Sequence, residues 1–431
     1  MPIPCKKPTN LKMNKNISYK QDQLFVEDVA VSEITNSLRT PFYVYSRTVI
    51  EENFGRFKRS LEGLDSMICY SVKANSNLSV LETIAKLGGG ADVVSLGEYK
   101  RALIAGIDPR KIVFSGVGKQ DFEIAEILKS SLLQFNIESV SELEMINKIA
   151  SSLNKEAPIA FRVNPDIDAG THENISTGKA DNKFGIPISD AVEIYQYASK
   201  LEKIKIVGID VHIGSQISDL NAFRQTFEHL EKLIYELKNI NIELENIDIG
   251  GGLGIKYTDD DLEPDLQEYG GLVKRILGNL SCRIIFEPGR YIVGNSGILV
   301  TKVLHSKMSQ NKSFLVTDAG MNDFSRTALY GATHRLIPLS KKKRGEEVYD
   351  VVGPVCETTD TFLKNYLVEK AEEGDFFAFL DVGAYGAVLS SEYNTRPLVP
   401  EVMVYKKRFE IVRTRPTYDE IFDKEAIPTW E

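Results

Sequence analysis

Between residues 66 and 287, short apolar runs alternate with amphipathic stretches, and this alternation constrains the chain more than any other feature. The runs 66–72, 91–95, 112–115, 132–137, 158–163, 206–213, 244–249 and 283–287 have strand composition. The stretches 78–87, 98–105, 122–129, 141–153, 190–201, 222–238 and 266–280 carry the period of one-sided helices. Strands separated by helices lie parallel, joined by right-handed crossovers. Eight such units within roughly 240 residues fit a (β/α)8 TIM-type barrel. A doubly wound sheet produces the same alternation, so the strand count does not choose between them. The polar residues do. Nearly every run closes on a chemically notable group: Lys73, Asp92, Ser115 with Gly116, Asn136, Arg162 with Asn164, His212, the glycines 250–252, and Glu287 with Arg290. A site fed by many strands at one rim is the barrel arrangement.

The pattern changes after Arg290. Runs 297–304, 313–318, 349–352, 376–379 and 401–405 read as strands separated by Gly, Asp and Lys turns. They predict a second, mainly antiparallel β domain, barrel or sandwich, completed by short strands over 24–45. The expected division is therefore 46–290 for the barrel, with 1–45 and 291–431 forming the β domain. Residues 416–431 read as an acidic, peripheral helix. A length of 431 residues suits two domains of this kind. The net charge of −9, with Lys341–Arg344 as the one basic run, argues against nucleic acid as a partner. The polar stretch 1–16 does not look like a signal peptide, and no run approaches the ~20 apolar residues of a membrane span. Cys5, Cys69, Cys282 and Cys356 are scattered and predict free thiols in a reducing, cytoplasmic setting. The histidines show no metal-ligand spacing, so no metal is expected.

Several stretches carry chemistry. Lys73 follows a strand-like run, where burial would lower its amine pKa and make it a nucleophile toward aldehydes. A surface lysine at a strand end is the plainer reading of that stretch alone. Gly250-Gly251-Gly252 follows the seventh strand, where barrels commonly hold a phosphate, although glycine runs also serve as tight turns. Glu287 and Arg290 after the eighth strand suit either a structural ion pair or a cofactor ring nitrogen and a substrate carboxylate. His212 beside Gly214 and Ser215 is balanced between an interior and a functional role. His172, His229, His305 and His334 are read as structural. Arg326 and Tyr330 share a face if 326–330 is helical. Cys356 beside Glu357 is by default a buried small hydrophobe. Tyr385 stands between Gly383 and Gly386.

Taken together, these stretches resemble the pyridoxal-phosphate decarboxylases of the alanine-racemase fold type, most closely the diaminopimelate decarboxylases. The resemblance rests on Tyr-Ser-Val-Lys-Ala-Asn at 70–75, Gly-Ala-Asp-Val-Val-Ser at 90–95 and Val-Phe-Ser-Gly at 113–116. It continues through Ile-Ser-Thr-Gly and Lys-Phe-Gly-Ile within 175–186, His-Ile-Gly-Ser-Gln at 212–216 and Glu-Pro-Gly-Arg at 287–290. Asp-Ala-Gly-Met-Asn-Asp at 318–323, Cys-Glu at 356–357 and Tyr-Asn-Thr-Arg-Pro at 393–397 complete it. Each is weak alone; their number and order are specific, and they span nearly the whole chain.

The resemblance implies pyridoxal 5'-phosphate held covalently by Lys73, stacked on by His212 and paired at its ring nitrogen by Glu287. Gly250, Gly251, Gly252, Ser215, Gly289 and Tyr385 would hold the phosphate, with Asp92 and Arg290 also lining the cofactor. It implies a head-to-tail homodimer in which Cys356 and Glu357 enter the partner's site. Cys356, or Lys73, would protonate the carbon that has lost CO2. The implied reaction is decarboxylation of meso-2,6-diaminopimelate to L-lysine, the last step of lysine biosynthesis. Charge agrees. Arg290, Arg326 and Tyr330 could meet a distal carboxylate while Glu357 takes the distal ammonium, and Tyr385 is a further substrate-binding candidate.

Thr327 stands where the family usually has proline, and Asn174 where it usually has tyrosine. These departures accompany the alternative reading, a decarboxylase of ornithine, arginine or a D-amino acid. A non-catalytic cofactor-binding regulator should lack Lys73 or Cys356, and a racemase has no use for a Cys-Glu loop. Segment 166–184 is the candidate lid.

Overall fold

The computed structural model describes residues 13–167, 183–310 and 312–430. They divide into two compact units, one of Met1–Ile50, Lys256–Asp261 and Val293–Glu431, the other of Glu51–Ile255 and Leu262–Ile292. The candidate lid largely falls outside the described residues, as do Cys5, His172 and Asn174.

The second unit is a closed parallel barrel. Its strands, in order, are Ser66–Ser71, Gly90–Val93, Ile112–Phe114, Gln134–Ile137, Ala157–Asn164, Ile204–Asp210, Asn246–Asp248 and Arg283–Phe286. Each bonds its successor, and the eighth bonds the first: Phe286 lies opposite Ile68. A strand with both faces covered reads as a continuous apolar run, and Ile112–Phe114 is buried at every position. The helices follow local chemistry. Ser95 and Ser139 each cap one, accepting from Glu98 N (3.2 Å) and Glu142 N (3.1 Å). Helix Leu220–Asn239 buries Phe223, Phe227, Leu230 and Leu237 along one face. Phe223 meets Tyr269 edge-on with ring centroids 5.2 Å apart, and Phe57 meets Phe286 in the same way at 5.7 Å. Each such ring contributes about 1.5–3 kcal/mol when fully buried.

The first unit is mainly antiparallel. Its large sheet runs in the order Thr361–Glu369, Glu346–Val352, Lys312–Thr317, Gly297–Ser309, Phe42–Ser46, Glu401–Tyr405, Arg408–Arg413. Phe376–Leu380 pairs both Gly297–Ser309 and Leu336–Pro338. Two neighbouring pairs within it are parallel, Lys312–Thr317 with Glu346–Val352 and Phe42–Ser46 with Glu401–Tyr405.

Two expectations need correction here. Residues 24–45 are not all strand: Ile17–Lys20, Gln23–Val26 and Val29–Ala30 form a small sheet, but Val31–Ser37 is helical. Val31 and Ile34, three apart, are both fully buried, and that spacing decided against a strand whose faces alternate. The C-terminal helix spans only Tyr418–Phe422, opened by a Thr417–Glu420 capping box. Ile421 is its one buried residue and every residue from Phe422 to Trp430 is exposed, so no buried face extends the helix toward Pro428. No helix among the described residues is long and apolar enough to cross a membrane.

Candidate active site

The barrel's first strand ends at Ser71 and runs into a short 3-10 turn, Val72–Ala74, that carries Lys73. Lys73 Nζ lies 3.1 Å from Asp92 Oδ2, and Ser71 Oγ donates to the same oxygen at 2.7 Å. Asp92 sits on the second strand, fully buried, whereas the Lys73 side chain is 39% exposed. This differs from the amine desolvated by burial that its strand-end position suggested. The turn lifts the amine to an accessible position, and the buried carboxylate holds it. Burial raises the Asp92 pKa, but the Lys73 ammonium and the hydrogen bonds from Ser71 and Lys73 outweigh that and hold it below the usual value.

The sixth and seventh strands supply the next group. His212 Nδ1 accepts from Gly251 N at 3.2 Å. Burial first, then the positive charges of Arg162 and Lys73, push the His212 pKa down to about 3. The imidazole is therefore neutral at any physiological pH. Gly250 and Gly252 have φ of 65° and 104°, and a Cβ on them would lie 2.6 Å from Val211 O and Gly214 O respectively. That turn admits glycine alone, leaving a close-approach cradle of main chain. Beside it Arg290, buried, donates from Nη2 to Ser215 Oγ at 3.1 Å. Gly289 packs so closely that a Cβ would lie 2.9 Å from both Ala74 Cβ and Ser71 Cβ.

Behind these residues lies a group that strand periodicity concealed. Carboxylate oxygens of Asp210, Asp248 and Glu287 all lie within 4.8 Å of one another, and all three residues are buried. Burial and their mutual repulsion raise the pKa of Glu287 and of Asp210 well above the ordinary range, and burial carries Asp248 up to about 7. The cluster therefore keeps protons at neutral pH. Asn136 Nδ2 donates to Asp248 Oδ2 and Ser115 Oγ, each at 3.2 Å, and Ser115 Oγ lies 3.5 Å from Glu287 Oε1. Sequence alone marks Glu287 but not Asp210, which sits inside an apolar strand and carries no motif. Nor does it mark Glu98, whose carboxyl accepts from Val94 N at 2.8 Å and is raised by burial to about 7. The Arg162–Glu138 ion pair (3.3 Å), with Arg162 Nη2 reaching His212 O at 3.5 Å, is unmarked too.

The first unit carries the remaining candidates. Arg326 and Tyr330 begin and end a helical turn, Arg326–Tyr330. Arg326 is buried, its guanidinium 5.4 Å from the centroid of the Tyr257 ring and its Nε donating to His334 Nε2 at 3.3 Å. That contact makes His334 Nε2 the acceptor, so Nδ1 bears the proton and donates to Leu380 O at 3.0 Å. His334 is thus the satisfied interior histidine expected. Cys356 is not the buried small hydrophobe of the default reading. It is exposed, as is Glu357, because both lie in the loop between two strands of the large sheet. Glu357 accepts from Tyr393 OH and, at 3.0 Å, from Thr359 Oγ1. Tyr385 is half-buried with φ of 55°.

The barrel residues fit pyridoxal phosphate. They offer an accessible amine for its aldehyde, an uncharged ring at His212, a protonated carboxyl at Glu287 and a main-chain cradle where no side chain fits.

The family described as "Pyridoxal-dependent decarboxylase, pyridoxal binding domain" matches residues 47–294. A diaminopimelate decarboxylase of Aquifex aeolicus is 44% identical over 410 residues, covering 95% of this chain and 97% of that protein. The crystal structure of diaminopimelate decarboxylase from Helicobacter pylori complexed with L-lysine superposes with a TM-score of 0.88 at 42% identity, covering 91% of this chain and 98% of that one. The M. jannaschii enzyme in co-complex with L-lysine gives 0.91 at 35% identity, covering 96% and 98%.

Proposed function

The chain belongs to the diaminopimelate decarboxylases of the pyridoxal-dependent decarboxylase family, and on that premise we propose that it converts meso-2,6-diaminopimelate to L-lysine and CO2. Pyridoxal 5'-phosphate is the cofactor; when bound, it supplies the electron sink that stabilises the carbon left by departing CO2. The observation that carries the reading is Lys73, an accessible amine held 3.1 Å from the buried Asp92.

The chain's own groups have separable tasks. Lys73 would hold the cofactor through its accessible amine. His212, neutral, would lie against the cofactor ring without placing a second positive charge beside it. Glu287 keeps a proton that it can share with the ring nitrogen. Gly250, Gly251, Gly252, Ser215, Gly289 and Tyr385 would hold the phosphate, and Arg290, through its contact with Ser215, would order that end. Arg326 and Tyr330 take the substrate's distal carboxylate, and Glu357 its distal ammonium; a substrate with a bare ammonium tail offers no carboxylate for the first of these contacts. Cys356 delivers a proton to the carbon that has lost CO2. The exposed Cys356 and Glu357 suit entry into the site of a second copy, in a head-to-tail homodimer. Scattered free thiols suit a cytoplasmic setting.

Product analysis tests the assignment. Purified protein with pyridoxal phosphate is offered meso-diaminopimelate, ornithine, arginine and D-lysine separately, with Lys73→Ala as control. Lysine and CO2 from diaminopimelate alone, lost in the control, is the expected result. Turnover of ornithine or D-lysine instead would overturn the roles given to Arg326 and Glu357.

A further inference from the structure

The Tyr-Asn-Thr-Arg-Pro stretch at 393–397 carries none of the roles above, yet it is built into the Cys356–Glu357 loop. The loop is fixed at its foot by Asp360, which is 2% exposed. Asp360 Oδ1 accepts from Met321 N and Oδ2 from Val355 N, both at 2.7 Å. Its head is fixed through Glu357, with one oxygen held by Tyr393 OH and the other by Thr359 Oγ1.

Tyr393 itself is braced. It opens the short turn Tyr393–Thr395, in which Asn394 and Thr395 have φ of 57° and 53°, a conformation that needs outside support in non-glycine residues. Arg396 supplies that support. Its Nε donates to Asn322 Oδ1 at 3.2 Å, and its Nη2 donates to Asp318 O at 2.6 Å and lies 3.5 Å from Asp323 Oδ2. The foot at Asp360 and the brace at Arg396 therefore rest on the same turn, 318–323. Glu357, Tyr393, Arg396, that turn and Asp360 form a closed polar ring.

We propose that Tyr393 is a positioning residue that holds the Glu357 carboxylate in its ligand-binding orientation, with Arg396 holding Tyr393. The proposal rests on the reading of Glu357 as the group that meets the substrate's distal ammonium. An exposed glutamate has many rotamers and surrenders them on meeting its ligand, whereas one already clamped at both oxygens does not. The clamp also lowers the Glu357 pKa, through the Tyr393 hydrogen bond first and then that of Thr359, so the group is charged when the ligand arrives. The same contact raises the Tyr393 pKa, which keeps its hydroxyl a donor.

Two measurements decide the matter. In the first, crystal structures of wild-type and Tyr393→Phe holoenzyme are compared at Glu357. The carboxylate is expected to leave its position in the variant, and an unmoved carboxylate overturns the proposal. In the second, KM and kcat for diaminopimelate are measured for Tyr393→Phe, Glu357→Gln and the double variant. Tyr393→Phe should raise KM about tenfold, the effect of losing one hydrogen bond to a charged group, with kcat within about twofold. In the Glu357→Gln background the same change should add less than about twofold. A tenfold effect in both backgrounds shows that Tyr393 acts elsewhere and overturns the proposal. Should Glu357→Gln leave KM unchanged, it is the distal-ammonium reading that fails, and the crystallographic comparison still decides the brace.

Discussion

Asp248→Asn is the perturbation with the most informative outcome, because it tests whether the barrel floor holds protons. Asp248 lies buried at the end of the seventh strand, and burial carries its pKa from 3.8 up to about 7. A carboxyl group held protonated in the fold stabilises it fully below the unfolded pKa, near 4. That contribution is lost as pH rises through about 7, because the unfolded chain releases the proton more readily. At about 1.4 kcal/mol per pH unit, the full difference is about 4 kcal/mol. Asparagine cannot ionise, so the variant lacks this decline. It has its own cost. Asp248 Oδ1 accepts from Gly250 N at 3.0 Å, which the amide oxygen can replace, but Oδ2 accepts from Asn136 Nδ2 at 3.2 Å, where two donors would then meet. Losing that bond costs about 1–3 kcal/mol. The variant should therefore be the less stable protein near pH 4 and should equal or exceed wild type near pH 8. Urea unfolding of both proteins, stripped of cofactor and followed by circular dichroism across that range, reads the difference directly. Parallel stability–pH curves for the two proteins would refute the proton-holding cluster.

Three further outcomes are expected. Mixing inactive Lys73→Ala and Cys356→Ala proteins under conditions of subunit exchange should restore about a quarter of wild-type activity, since half the dimers would carry one intact shared site; no recovery would mean each subunit completes its own site. Gly252→Ala should destabilise the barrel by about 1–3 kcal/mol and weaken cofactor retention on gel filtration, because φ is 104° there and the new Cβ would meet Gly214 O at 2.6 Å. Thr327→Pro should leave thermal stability within about 1 kcal/mol, read by calorimetry, because Thr327 is the second residue of its helix, where proline is tolerated, and its buried Oγ1 has no hydrogen-bond partner to lose.

The barrel was legible because the two periodicities of its elements are written separately along the chain, and the rim residues mark each strand's end. The glycines of 250–252 and Glu287 could be placed after the seventh and eighth strands by counting alone. What escaped was geometry between strands. Asp210 looks like any residue of an apolar run, and only closure of the barrel brings it against Asp248 and Glu287. The exposure of Cys356 was hidden for the opposite reason. Whether a thiol in a loop is covered depends on the paths of the two flanking strands, and local sequence says nothing about these. Val31–Ser37 was misread because β-branched residues favour strands, and packing of Val31 and Ile34 overrode that preference.

The strand Phe42–Ser46 lies between Gly297–Ser309 and Glu401–Tyr405 in its sheet, and four of its five residues are aromatic or aliphatic. Its nearer neighbour begins 251 residues after it ends. All eight barrel strands are synthesised in that interval, so the barrel has its complete set of partners while this strand has none. At ~5–20 residues per second the wait is roughly 10–50 seconds. A newborn chain thus carries an apolar ribbon with both edges open through most of its synthesis, a natural target for holdase chaperones. Moving Phe42–Ser46 to the chain's end by circular permutation would shorten that exposure and should raise the soluble yield in chaperone-depleted translation.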